Sequence, residues 1–224
     1  MTTELLSYHT IAKLHGIIGI LLFVCGILQF VLKKGTVLHR YIGYVYLISW
    51  IGIIATGAYI GSMLIVAIVV LGFYLALTGL RAAIIKDKLY AIADKLIALF
   101  AVLVILFMLI SAIQMLLLQN YLGAALGLFF SLLYSWIVGR DILHYIFLKP
   151  QFKNRYGKLN WYVNHLTRMQ FSFVTAVGAF TAVQNIFKIT FLNFTLPVLL
   201  GFIVIKKTTA YFIKQAGIKE NSID

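Results

Sequence analysis

Apolar positions along this chain come in long unbroken runs, and charged positions come in short clusters between them. No charged side chain occurs from Tyr41 to Leu80, nor from Leu96 to Gly139. A helix that crosses a bilayer needs about 20 apolar residues, so each stretch holds two such helices and a short uncharged turn. The whole pattern predicts seven spans, roughly Ile11–Leu32, Tyr41–Ile60, Met63–Ile85, Ala93–Leu118, Leu122–Phe147, Asn164–Ile186 and Ile189–Ile205. Gly61-Ser62 and Gln119-Asn120-Tyr121 form the two short turns. The longest loop, Lys149 to Val163, carries Trp161 and Tyr162, which suit a membrane interface. The predicted class is all-α: one polytopic transmembrane helix bundle, residues 1–224, without an internal repeat. Its last span is the least regular, because Pro197 kinks it unless a neighbour satisfies the freed carbonyl. A re-entrant or interfacial segment is the alternative there.

Composition sharpens this picture. The chain is 62% hydrophobic, with a mean hydropathy of +1.00, whereas soluble domains run nearer half apolar. A net charge of +13 would suit a nucleic-acid partner if it formed one surface. Here the cations sit in short loops between apolar runs, so no nucleic-acid partner is expected; anionic headgroups are. The single cysteine, Cys25, excludes an intramolecular disulfide and a cysteine-based metal site. Residues Met1 to Thr10 hold Glu4 and no cation, and no small-x-small site follows the first run, so the first span is expected to be retained.

Charge also orients the bundle. With seven spans and the N-terminus outside, only Lys13 and Lys188 of the nineteen Lys and Arg residues face outward. The other seventeen, from Lys33 to Lys219, share the opposite face, and an excess of cations marks the cytoplasmic side. The expected topology is therefore N-terminus outside and C-terminus cytoplasmic. Glycines recur at Gly57-x-x-x-Gly61 and Gly123-x-x-x-Gly127, and at Gly19/Gly26 and Gly72/Gly79 one heptad apart. Such spacing serves close helix packing within one bundle, with a homodimer contact as the alternative.

Ionisable side chains within membrane helices are costly and so are functional candidates. His9, His15, Gln114, Gln184 and Asn185 fall toward the outer side, and His15 reads as helix packing or a hydrogen bond. Gln29, His39, Arg81, Asp94, Arg140, Asp141, His144, His165 and Arg168 fall toward the inner side. Asp141 and His144 share one helical face, as do His165 and Arg168. One inner pocket is thus expected to gather three imidazoles, two carboxylates and up to three guanidinium groups. A zinc or iron ion would take His144 and His165, with Asp141 or Asp94 as carboxylate partner and His39 as a further ligand. Haem b would take two of His39, His144 and His165 at one depth. An anion or proton path would use the same histidines with Arg81, Arg140 and Arg168. The plainer alternative is helix-end residues pairing with each other and with phosphate headgroups. His-Glu-x-x-His, Gly-x-Ser-x-Gly and Gly-Lys-Ser/Thr are absent, so nothing points to a zinc protease, a serine hydrolase or an ATPase.

His15-x-x-x-Gly19, Gln29 and His39-Arg40-x-x-Gly43-x-x-Tyr46 resemble an uncharacterised family of bacterial multi-pass membrane proteins. Arg81, Asp94, His165-x-x-x-Met169, Thr181-Ala182 and Pro197 extend that resemblance along most of the chain. It implies a bacterial inner-membrane protein of about seven helices and carries no catalytic role. Three readings of function stay open. They are a binding or redox-type protein with the inner pocket, a proton-coupled transporter, and an accessory subunit of a partner membrane protein. Enzymatic activity is left open.

Overall fold

The computed structural model describes residues 2–86, 91–147, 160–215 and 217, except the side chains of residues 2–6 and 144–147. The described residues form seven helices: α1 (Thr2–Val31), α2 (Val37–Ile60), α3 (Met63–Ile85), α4 (Ile92–Leu117), α5 (Tyr121–Phe147), α6 (Asn160–Val183) and α7 (Thr190–Gln215). Six of them, all but α6, are long and apolar enough to cross a membrane. The predicted runs are recovered, with ends that differ at polar flanks. Thr2 to Thr10 join α1, and α6 begins four residues before the predicted Asn164. Polar side chains fix several starts. Thr36 Oγ1 accepts the His39 amide at 3.2 Å, Ser62 Oγ accepts the Ile65 amide at 3.4 Å, and Asn120 Oδ1 accepts the Gly123 amide at 3.0 Å.

Consecutive helices run antiparallel, and glycines set how closely they approach. A Cβ on Gly57 would meet the His15 ring at 3.5 Å, and one on Gly43 the Gln29 amide at 3.7 Å, which aligns α1 against α2. Gly127 lies against Ala112 and Gly123 against Met115 between α4 and α5. Gly72 lies against Trp50 and Thr175, and Gly79 against Arg168 and Met169, which aligns α3 with α6. These glycines therefore serve packing within the bundle. The antiparallel order puts the C-terminal ends of α1, α3, α5 and α7 at one end of the bundle, with the N-terminal ends of α2, α4 and α6.

Helix α6 is the exception in hydropathy, and its position explains why. At 1.5 Å per residue its 24 residues extend about 36 Å, more than the hydrocarbon core of about 30 Å. Its polar side chains bond to four other helices. Ser172 Oγ lies 3.0 Å from Tyr46 Oη of α2, and Thr175 Oγ1 lies 2.9 Å from Tyr134 Oη of α5. Gln170 meets Thr208 of α7, and Arg168 meets Thr78 of α3. Phe173 packs edge-on against Phe23 and Phe30 of α1. Other helices, rather than lipid, surround the polar faces of α6. By contrast α1 and α4 present large apolar side chains outward, among them Ile17, Ile20, Leu103 and Ile110.

The last helix is longer than predicted. It runs unbroken through Pro197 to Gln215, ten residues beyond Ile205, so the re-entrant alternative is not taken. Proline cannot donate to the carbonyl four residues earlier, which belongs to Asn193. The Thr181 hydroxyl of α6 supplies that missing donor at 2.5 Å. Asn193 is itself fully buried. Its Oδ1 accepts the Phe187 amide at 2.9 Å and its Nδ2 donates to Asn185 Oδ1 at 2.7 Å, tying down the α6–α7 turn. Replacing Thr181 by Val keeps the shape and strands the Asn193 carbonyl. We expect thermal unfolding in detergent to show a loss of about 1–3 kcal/mol; a wild-type curve would mean that the helix tolerates Pro197 unaided.

Candidate functional site

The inner polar residues expected to share one pocket are divided among three places. At the first, Asp94 in the opening turn of α4 accepts two bonds from Arg81 of α3, at 2.7 and 2.8 Å. Its Oδ2 also accepts the Ala91 amide at 2.8 Å, so the carboxylate caps α4 while pairing with α3. Asp94 is buried beneath its partner.

The second place is deeper. Asp141 of α5, 5% exposed, accepts both arms of the Arg168 guanidinium of α6, one of them at 2.8 Å. Tyr74 of α3 donates to Asp141 Oδ2 at 2.5 Å. Thr78 Oγ1 donates to the Tyr74 carbonyl at 2.7 Å and accepts from Arg168 Nη1 at 2.8 Å. Three helices meet in this network. Its charges cancel and further hydrogen bonds from Tyr74 and to Thr78 support the pair, the condition under which a buried ion pair is tolerated.

The third place is a cavity of about 580 Å³ among α1, α2, α3 and α6, at the end that carries the α1–α2 connection. His39 and His165 both line it. Their ring centroids are 6.4 Å apart, with planes at 77°. The pairing follows from a parallel register of α2 and α6. His39 and His165 are 126 residues apart, as are Tyr46 and Ser172 one heptad further along, and Tyr46 spans the gap to Ser172 at 3.0 Å. His165 Nδ1 lies 2.9 Å from the Gly79 carbonyl, so this nitrogen carries the proton and donates it. The lone pair of its Nε2 is left free. His39 Nδ1 is buried with no hydrogen-bond partner among the described residues. The backbone beside it is held instead, by Gln29 Nε2 donating to the His39 carbonyl at 3.0 Å.

Lys34, Arg40 and Lys86 line the same cavity, and its described lining includes no carboxylate. Lys34 Nζ donates to the Gln29 carbonyl and lies 4.9 Å from the centre of the Phe212 ring. Partial burial lowers the pKa of this ammonium group from the ordinary lysine value. Lys86, which caps α3, sits 5.2 Å from the centre of the Trp161 ring. Gln170, 3% exposed, also faces the cavity. Its Oε1 accepts from Thr208, and its Nε2 is buried without a partner. Phe30, Leu47, Leu80, Met169 and Phe173 make the walls largely apolar.

Of the candidate residues, then, His39 and His165 come together, whereas Arg81 and Arg168 are engaged with Asp94 and Asp141. Arg140 is exposed over the Trp136 ring. The His144 side chain lies outside the described residues. Among the described residues no group of three or more His, Cys, Asp or Glu side chains stands ready to hold a metal ion. Lys34, Lys86 and Gln170 were not among the candidates. Lys34 and Lys86 read as ordinary loop cations, and nothing in the spacing assigns Gln170 to the cavity side of α6. On the outer side, His15 Nδ1 lies 2.7 Å from Thr56 Oγ1, joining α1 to α2, while Gln114 and Gln184 are exposed. No protein-family model, no curated protein and no solved structure matches the chain.

The deep ion pair carries a direct energetic consequence. Replacing Asp141 by Ala leaves the half-buried Arg168 guanidinium without its carboxylate, which costs up to about 3–5 kcal/mol. We expect Arg168→Leu to destabilise comparably, and Asp141→Leu/Arg168→Leu together to be more stable than either alone. Unfolding midpoints of the three variants in one detergent test this; additive losses would mean that the two side chains do not act as a pair.

Proposed function

We propose that the chain is a multi-pass protein of a bacterial inner membrane that binds an anionic, partly apolar ligand at its cytoplasmic end. One observation carries the reading: the described lining of the cavity combines Lys34, His39, Arg40, Lys86 and His165 with apolar walls and no carboxylate. Elsewhere in the bundle Asp94 and Asp141 neutralise Arg81 and Arg168, so the cavity keeps a net positive surplus. Long-chain carboxylates and other amphiphiles with an acidic head have the matching chemistry. Apolar contact supplies affinity and charge-assisted hydrogen bonds fix orientation. Transport would require a polar route past Tyr46, Trp50 and Leu71, which fill the middle of the bundle and are each at most 1% exposed. That favours binding over passage.

The orientation follows from charge. The antiparallel order of helices supports placing Lys33, Lys34, Arg40, Lys86, Lys206 and Lys207 on one side, which the excess of cations makes cytoplasmic. In a Cys25→Ser background, Thr36→Cys should react with an impermeant maleimide only from the cytoplasmic side. Ser62→Cys and Asn120→Cys should react only from outside; the reverse labelling would overturn the topology.

Binding is tested with a fluorescent long-chain carboxylate titrated into detergent-purified protein. A charge-assisted contact contributes about 1.5–3 kcal/mol, so Lys34→Gln and Lys86→Gln should each weaken the dissociation constant about tenfold or more. Raising the salt concentration should weaken wild-type binding as well. Affinity indifferent to both lysines would sink the reading.

A further inference from the structure

The two histidines allow a more specific statement, which rests on the ligand-binding reading of this cavity. Each imidazole has an unengaged nitrogen. His165 is oriented by the Gly79 carbonyl at 2.9 Å, the kind of outer partner that fixes the tautomer of a metal-binding histidine. The buried Nδ1 of His39 has no hydrogen-bond partner among the described residues.

Their separation selects among metal arrangements. With metal–nitrogen bonds of about 2.0 Å and about 1.1 Å from nitrogen to ring centre, two imidazoles on opposite sides of one metal have centroids about 6.2 Å apart. Two imidazoles at a tetrahedral angle on a zinc ion would have centroids only about 5 Å apart. The observed 6.4 Å is nearer the opposed value than the tetrahedral one. Planes at 77° are compatible with it, because opposed ligation does not fix the angle between the two ring planes.

An opposed pair leaves the metal's equatorial positions to another group. Among the described residues no third His, Cys, Asp or Glu joins the pair. A planar macrocycle that brings its own four nitrogens meets this demand. The cavity, about 580 Å³ with aromatic and aliphatic walls, lies within the range of about 300–1,000 Å³ that small-molecule and cofactor sites occupy. Gly26 lets Phe173 approach α1 where a Cβ would lie 2.4 Å from its ring, and both residues line the cavity. Lys34, Arg40 and Lys86 supply cations on the same cavity.

We propose that His39 and His165 are the two axial ligands of a b-type haem seated in this cavity, with its propionates toward Lys34, Arg40 and Lys86. Ferric iron between two neutral imidazoles in a dianionic macrocycle keeps one positive charge. Two propionates then leave the bound group net negative, matching the cationic lining.

The test is optical and magnetic. Detergent-purified protein is titrated with ferric protoporphyrin IX, and its absorption and electron paramagnetic resonance spectra are recorded. The expected result is saturation at a single site with the low-spin, six-coordinate signature of two nitrogen ligands. His39→Ala and His165→Ala should each abolish that signature, leaving high-spin or unbound haem. Added imidazole should restore it in His39→Ala, which separates loss of a ligand from loss of the fold. A wild-type spectrum in either variant would overturn the assignment. So would a failure to bind haem by protein that still binds the long-chain carboxylate through Lys34 and Lys86, and the broader reading would then stand. If neither probe binds, both readings fall together.

Discussion

The Arg168–Asp141 pair holds α3, α5 and α6 in one arrangement, and the cavity depends on it. Arg168 reaches Asp141 on α5 and Thr78 on α3, while Tyr74 closes the other side of the carboxylate. Inside a bilayer an unpaired charge or backbone group costs several kcal/mol because water is absent. That penalty makes the network directional: a shift of any of the three helices would break bonds to Asp141 or Arg168. His165 stands one turn before Arg168, and the Gly79 carbonyl that holds it follows Thr78 in the chain. The imidazole is positioned by the same contact between α3 and α6 that positions the guanidinium.

The same constraint explains the rest of α6. Between two apolar helices, lipid supplies no drive to associate, so association relies on close packing and hydrogen bonds. Helix α6 carries the polar groups, and its neighbours carry the complements: Tyr46, Thr78, Tyr134, Asp141 and Thr208. Gly72 and Gly79 bring α3 close enough for those short side chains to meet. Pro197 fits the same pattern, because the carbonyl it frees is answered by Thr181, again from α6. A helix that satisfies so many others cannot itself be uniformly apolar.

Much of this was legible in the sequence, and what was not has a physical cause. The uncharged stretches Tyr41–Leu80 and Leu96–Gly139 resolve into the helix pairs α2–α3 and α4–α5, because length and apolarity alone decide whether a segment suits a membrane. Asp94 opens its helix as expected, since a carboxylate is favourable at the positive end of the helix dipole. The convergence of the polar residues was not legible. Asp141 and Arg168 lie 27 residues apart in sequence, and His39 and His165 lie 126 apart. Periodicity assigns each to a face of its own helix but does not say which helix that face meets. The expectation of one mixed pocket failed for an electrostatic reason. Two carboxylates and two guanidinium groups pair off at about 3 Å, and each pair is then silent toward the histidines.

That pairing also explains why the remaining cavity has the character it does. The chain has only six acidic residues against nineteen Lys and Arg, so once Asp94 and Asp141 are matched, few carboxylates remain to neutralise anything else. Lys34 is half-buried against the Gln29 carbonyl and the Phe212 ring, and burial already disfavours its charged form. Moving an anion beside it relieves that cost and gains a charge-assisted bond in a medium of low dielectric. The cationic character of the cavity therefore follows from how the bundle uses its scarce acids: those that lock the helices together are the ones withheld from its described lining.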